Sequence, residues 1–121
     1  MAYDESLAER IRELLEARPD VIEKKMFGGL AFLIGGHMAI SASGQGGALV
    51  RVDPEATSSL VAGGTAEVAV MRGRPMAGWL RVPSDRLRTK RQLEGWVNRA
   101  VGYVDALPPK QPARRRSPRP Q

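Results

Sequence analysis

A two-residue glycine loop between two apolar runs is the feature that most restricts how this chain can fold. Within residues 26–43, Gly35 and Gly36 separate two runs of strand length. Glycine adopts the positive φ angles of a tight primed turn without steric cost, so the loop predicts a β-hairpin. Gly28 and Gly29 follow an aromatic residue in the same stretch, and glycine weakens a strand interior. We expect a bend, a bulge or a close approach of another backbone there.

The length and composition are those of one globular domain. The chain has 121 residues, of which 42% are hydrophobic and 26% charged, enough for one core and ordinary for a folded protein. No apolar run approaches the roughly 20 residues that cross a bilayer, and the chain does not open on a basic and then apolar segment. It contains no cysteine, which excludes disulfides, thiolate metal sites and thiol catalysis. We therefore expect a cytoplasmic protein without membrane contact.

The positive charge is concentrated at the end of the chain. Residues 108–121 contain five basic residues and no acid, so the net charge of +6 leaves only +1 for residues 1–107. The terminal segment is also rich in proline and has no large apolar residue, a composition typical of disorder. We predict an α+β domain over residues 1–107 and a disordered Pro/Arg-rich basic tail over residues 108–121.

Hydrophobic spacing predicts a helix at each end of the domain and a short helix between strands. The first helix covers residues 4–17, with an acidic cap and one apolar stripe. The short helix lies within residues 53–63, between an Asp-Pro start and a Gly-Gly stop. The last helix covers residues 89–107 and opens with a capping box between Thr89 and Gln92.

The segments between these helices have the apolar alternation or the β-branched composition of strands. They are residues 21–27, 30–34, 37–43, 48–52, 66–70 and 79–82. Hairpin connections imply a largely antiparallel sheet of about five to six strands. The two terminal helices must bury their apolar stripes, which is achieved most simply on one face of that sheet. The predicted fold is a two-layer α+β domain.

No set of residues in this chain predicts catalysis, a cofactor or a metal. His37 is the only histidine, and neither a second histidine nor a cysteine completes a metal site around it. The serines lack the context of a nucleophile elbow, and the glycine-rich stretches do not match a phosphate-binding loop. We therefore expect that the protein is not an enzyme.

Basic and aromatic residues of the second half of the chain are the candidate contacts. Arginine beside an exposed aromatic ring is typical of a surface that binds phosphates or another protein. The alternative is that the tryptophan belongs to the core and the cations are scattered surface charges. The arginines of the tail add nonspecific nucleic-acid affinity or act as a solubilising extension. The candidates are Arg72, Arg74, Trp79, Arg81, Arg114, Arg115 and Arg116.

Several short motifs occur in a fixed order over about residues 3–109. The most specific are Met-Phe-Gly-Gly at 26–29 and Gly-Arg-Pro-Met at 73–76, accompanied by Leu-Val-Arg-Val at 49–52 and Gly-Trp at 78–79. In these motifs the chain resembles the N-terminal domain of the TfoX (Sxy) competence regulators. The resemblance implies a compact α+β fold like that of the secretion chaperones. It also implies a relation to proteins that promote transcription of DNA-uptake genes alongside the cyclic-AMP receptor protein, and it brings no catalytic residues.

The full-length regulators that this domain resembles continue into a second, helical domain. This chain ends instead in its Pro/Arg-rich segment, so we expect a stand-alone member of the family. The leading hypothesis is a small cytoplasmic regulatory or adaptor domain that acts by protein contact, with a role in transcriptional regulation. The alternatives are a nucleic-acid-binding protein that uses the basic second half and tail, and an enzyme. Monomer and homodimer both stay open, because an antiparallel sheet leaves two edges to pair or protect.

Overall fold

Six strands and three helices form two layers in the computed structural model, which describes residues 3–26, 28–64, 66–71 and 73–107. The strands are β1 (Val21–Met26), β2 (Gly29–Ile34), β3 (His37–Ala42), β4 (Ala48–Arg51), β5 (Glu67–Met71) and β6 (Arg74–Val82). The helices are α1 (Glu5–Leu14), α2 (Thr57–Ala62) and α3 (Lys90–Asp105). Of the helices described, none has the length and apolarity that a membrane span requires.

The strands form one sheet in the order β1-β2-β3-β4-β6-β5. Every pair of neighbours is antiparallel, and β6 lies between β4 and β5. The predicted α+β class and the antiparallel sheet are confirmed.

Glycines set the geometry of the hairpins. Gly35 and Gly36 have φ angles of 59° and 88°, as a two-residue primed turn between β2 and β3 requires. Gly29 lies so close to the backbone of β3 that a Cβ on it would meet the carbonyl oxygen of Ala42. A Cβ on Gly44 would stand 2.5 Å from the carbonyl oxygen of Gly28. The predicted close backbone approach at Gly28 and Gly29 is thus confirmed.

The helix ends follow local capping. Asp4 caps α1, and its Oδ1 accepts a hydrogen bond of 3.1 Å from the Leu7 amide. The helix ends at Leu14, before the predicted end at residue 17, because Leu15 leaves the helical region at φ −102° and ψ 4°. The capping box of α3 is present, with both Thr89–Gln92 hydrogen bonds at 3.0 Å.

Strand β6 is longer than the sequence pattern predicts. A strand over residues 79–82 was expected because several glycines and a proline precede it, but β6 begins at Arg74. Gly78 has a φ of 88° and lies where the register between β5 and β6 shifts. Val68 pairs with Leu80, whereas Ala69, the next residue of β5, pairs with Met76. The Gly78 carbonyl accepts from the Val52 amide at 2.8 Å, so neighbouring segments hold the strand through its break.

All three helices cover one face of the sheet. Helix α3 contacts β2, β3 and β4, α1 contacts β3 and α3, and α2 contacts β5 and β6. Phe32, Ile40, Val50 and Leu80 form a row of side chains across neighbouring strands, each fully buried beneath the helices. The opposite face of the sheet has no covering layer among the described elements.

Candidate functional site

The uncovered face of the sheet carries a group of apolar side chains that the helices do not touch. Side chains alternate between faces along a strand, so Leu33, Leu49 and Trp79 point away from the buried row. None of the group belongs to the helix-facing core, and its members are half-buried or exposed. The pairing of β1 with β2 and of β2 with β3 sets several of them side by side. We call this surface the open sheet face; its apolar members are Ile22, Met26, Leu33, Met38, Leu49 and Trp79.

Small residues form the floor of the open sheet face. Ala31 and Ser41 pair across β2 and β3, and both are buried although no helix covers them. Leu33 follows two residues after Ala31 on the same side of its strand, and Leu49 pairs with Ser41.

Arg51, the last residue of β4, lies between two aromatic rings next to the open sheet face. The guanidinium carbon of Arg51 lies 5.2 Å from the centroid of the Trp79 ring and 5.5 Å from that of the Tyr103 ring. Trp79 is the ladder partner of Arg51 in β6, and Tyr103 belongs to α3. Both distances are within the range of cation–π attraction. The cluster therefore connects the sheet with the helix layer, and Trp79 is half-buried.

The structure separates the residues that the sequence proposed as contacts. Trp79 and Arg81 point to the same side of β6, and the Arg81 guanidinium donates a hydrogen bond to the side-chain oxygen of Gln45. Arg74 is exposed at the other end of β6, where it pairs with Met71 at the hairpin. The remaining candidates lie outside the described residues: Arg72, Arg114, Arg115 and Arg116.

Arg51 is one of the site residues that the sequence analysis missed. It occurs between Val50 and Val52 in a strand, and both of these valines are buried. That alternation alone assigns Arg51 to the face opposite the core. The proximity of Arg51 to Trp79 is not visible in the sequence, because it depends on the pairing of β4 with β6.

The ion pairs around the two layers lie on the helix side of the molecule. Arg12 pairs with Glu23, and its hydrogen bonds hold the pKa of Glu23 below the usual value. Arg18 pairs with Asp20 and likewise lowers the pKa of that carboxyl group. Within the described ranges, no group of three or more metal-ligating side chains is present. The open sheet face itself presents apolar side chains beside basic ones. Such a surface is suited to binding another molecule.

Comparison with known proteins agrees with the motifs. No curated protein that was compared with the chain matches it. The family model of the TfoX N-terminal domain matches residues 13–103, a span that contains all six strands, α2 and most of α3. The motifs at residues 26–29 and 73–76 fall within it, and the resemblance that they indicated is confirmed. This chain belongs to the TfoX N-terminal domain family.

Proposed function

We propose that this domain is a regulatory adaptor that acts by contact with other proteins, and that the open sheet face is its contact surface. One observation carries the proposal: the described helices cover a single face of a six-stranded sheet, and apolar side chains of five strands lie on the other. Apolar groups on a contiguous surface are typical of protein interaction sites. A partner would bury this area.

The residues at one end of the open sheet face support binding of a protein. Trp, Tyr and Arg are the residue types that most often dominate interface energetics, and Trp79, Tyr103 and Arg51 form one cluster here. The cluster is held by its own contacts before a partner binds, which lowers the entropy lost on association. Lys24 and Arg81 are further cations on this face, so the partner should present an apolar patch with acidic groups around it.

The process that we propose is transcriptional regulation in the cytoplasm. The support is membership of the TfoX N-terminal domain family, together with the relation to competence regulators that the motifs implied. In this role the domain needs surface area and charge rather than a catalytic residue or a cofactor. We therefore propose neither a catalytic residue nor a cofactor for this domain.

Site-specific photo-crosslinking tests the proposed surface. A photoreactive phenylalanine derivative at Leu49, and separately at Leu33, should crosslink the same protein in the native host. The matched control is the same derivative at Glu13, which is exposed on α1 in the opposite layer and should give no such product. Trp79→Ser should weaken the crosslink and alter the same transcripts as deletion of the gene. The proposal fails if neither sheet position crosslinks a protein, or if Glu13 crosslinks the same protein equally well.

Nucleic-acid binding is the second candidate, and it is supported by charge. The net charge of the whole chain is +6, most of it within residues 108–121. If this segment binds DNA or RNA, affinity should fall steeply between low and physiological salt and be lost in a chain that ends at Leu107. Binding retained by the shorter chain would assign the contact to the folded domain instead.

A further inference from the structure

A groove runs between α2 and α3, in the layer opposite the open sheet face. It consists of two adjoining cavities of about 280 and 400 Å³. Leu60 of α2 and Arg99 of α3 line both cavities, so the two lie next to each other along α3. Trp96 forms part of the floor of the smaller cavity, and Tyr103 lines the larger one. We call the two cavities together the α2–α3 groove.

The α2–α3 groove is positively charged. Arg86, Arg91 and Arg99 line it, and none of them forms an ion pair with a residue in the described ranges. The guanidinium carbon of Arg99 stands 5.6 Å from the centroid of the Trp96 ring, which keeps this charge over the apolar floor. The described lining contains one acid, Asp53, whose carboxylate accepts a hydrogen bond from the backbone of the following turn.

Two glycines leave the backbone of α3 open along the groove. Gly95 lines the smaller cavity and Gly102 the larger one, two helical turns apart on the same side of α3. A Cβ at either position would meet no heavy atom within 4 Å. Glycine weakens a helix interior, so a glycine there needs a reason. Packing within the described chain does not supply one at these two positions. The space admits a segment that approaches α3 closely.

We propose that the α2–α3 groove binds an acidic, amphipathic helix of a second partner protein. Carboxylates of that helix pair with the unneutralised guanidinium groups of Arg91 and Arg99, and its apolar side chains fill the two cavities. The part of α3 along the groove, residues 91–105, is about 21 Å long at 1.5 Å per residue. A ligand helix of about four turns matches that length. The domain then contacts a second protein, a step beyond the proposed adaptor surface, and Tyr103 borders both contact surfaces.

The chemistry of the groove favours a protein helix over a nucleic acid. Trp96 is only 8% exposed, so its ring is not accessible for base stacking. The larger cavity is lined by Val52, Ala56 and Leu60, and a phosphate backbone brings no apolar group to fill it. An amphipathic helix supplies both the negative charge and the apolar side chains.

Selection from a peptide library tests the proposal without a known partner. The probe is a displayed library of helical segments of about sixteen residues, selected against the full chain. We expect enriched peptides to carry acids three or four residues apart beside an apolar stripe. Affinity of the best peptide, measured by fluorescence anisotropy, should fall at least about tenfold for Arg99→Gln and for Gly102→Gln.

Two controls separate loss of the groove from loss of the fold. Arg88→Gln removes an exposed arginine that lines neither cavity, and it should change the peptide affinity less than about twofold. Circular dichroism of the Gly102→Gln variant should show an intact domain. The proposal is overturned if no peptide is enriched, if enriched peptides lack acids, or if binding is insensitive to the groove variants. The proposal is also overturned if duplex DNA or RNA displaces the peptide and this displacement depends on Arg99. That result would favour nucleic-acid binding by the groove.

Discussion

Arg12 joins the first helix to the edge of the sheet. Its Nε and Nη2 donate to the two carboxylate oxygens of Glu23 at 2.5 and 2.8 Å, and its Nη1 donates to Glu9 at 2.6 Å. The bidentate geometry with Glu23 connects α1 to β1, an edge strand of the sheet as the described strands form it. The hydrogen bonds lower the pKa of Glu23 against the opposing effect of desolvation.

We expect Arg12→Gln to destabilise the protein by about 0.5–1 kcal/mol at pH 7, the range of a well-formed surface pair. Because the folded-state pKa of Glu23 is depressed, this contribution is fully present above the ordinary value of 4.5 and is lost as the pH falls through the depressed pKa. Urea unfolding of both proteins at pH 7 and at a pH below the depressed pKa of Glu23 measures the difference. If the difference in unfolding free energy between the wild-type protein and the variant did not decrease in acid, the assignment of the effect to Glu23 would be contradicted.

The contact between Arg51 and Trp79 should be measurable as a coupling free energy. In a double-mutant cycle of Arg51→Gln and Trp79→Leu, we expect a coupling of about 0.5–1 kcal/mol in the free energy of unfolding. Arg51→Gln combined with Thr89→Ala, which removes the cap of α3, should be additive within about 0.5 kcal/mol. Equal coupling in both cycles would show that the cation–π geometry contributes nothing specific.

At the level of secondary structure, two glycines with opposite surroundings make a matched pair. Gly102→Ala should stabilise the protein by roughly 0.5–1 kcal/mol, because alanine favours the helix and its Cβ meets open space. Gly29→Ala should destabilise it by more than about 2 kcal/mol, because the Cβ meets the carbonyl oxygen of Ala42 across the hairpin. Urea unfolding of the two variants measures this: the midpoint should rise for Gly102→Ala and fall for Gly29→Ala. Shifts of the two midpoints in the same direction would contradict the prediction.

The elements that the sequence predicts best are those whose causes lie within a few residues. The Gly35-Gly36 turn and the capping box of Thr89 are local devices, and both are present as predicted. The start of β6 was placed too late because Gly78 is a local break signal. Its hydrogen bond with Val52, which comes from a segment distant in sequence, keeps the strand continuous.

Over the whole molecule, the strand order leaves two edges of different character. β1 carries Glu23 and two lysines, and charged side chains protect an edge from pairing. β5 contains no lysine or proline, and its Val70 is 60% exposed. The β5 edge is therefore the one suited to pair with a second copy.

We expect dimerisation through antiparallel pairing of two β5 strands about Ala69, which sets Val68 of one copy opposite Val70 of the other. Val70→Lys should then yield a monomer, because it puts a charge at the pairing edge. Ile22→Lys at the β1 edge is the control and should leave the mass unchanged. Sedimentation equilibrium measures the mass, and a wild-type monomer at high concentration would contradict the prediction.

The sequence alone was sufficient for the α+β class, the antiparallel hairpins and the helix caps, because periodicity and turn chemistry act between near neighbours in the chain. It also identified Trp79 and Arg81 as candidates from their composition. Only the tertiary structure placed Arg51 between the rings of Trp79 and Tyr103, left one sheet face uncovered by the described helices and formed the α2–α3 groove. These features depend on which strands pair and on which face the helices cover, and packing between distant segments sets both.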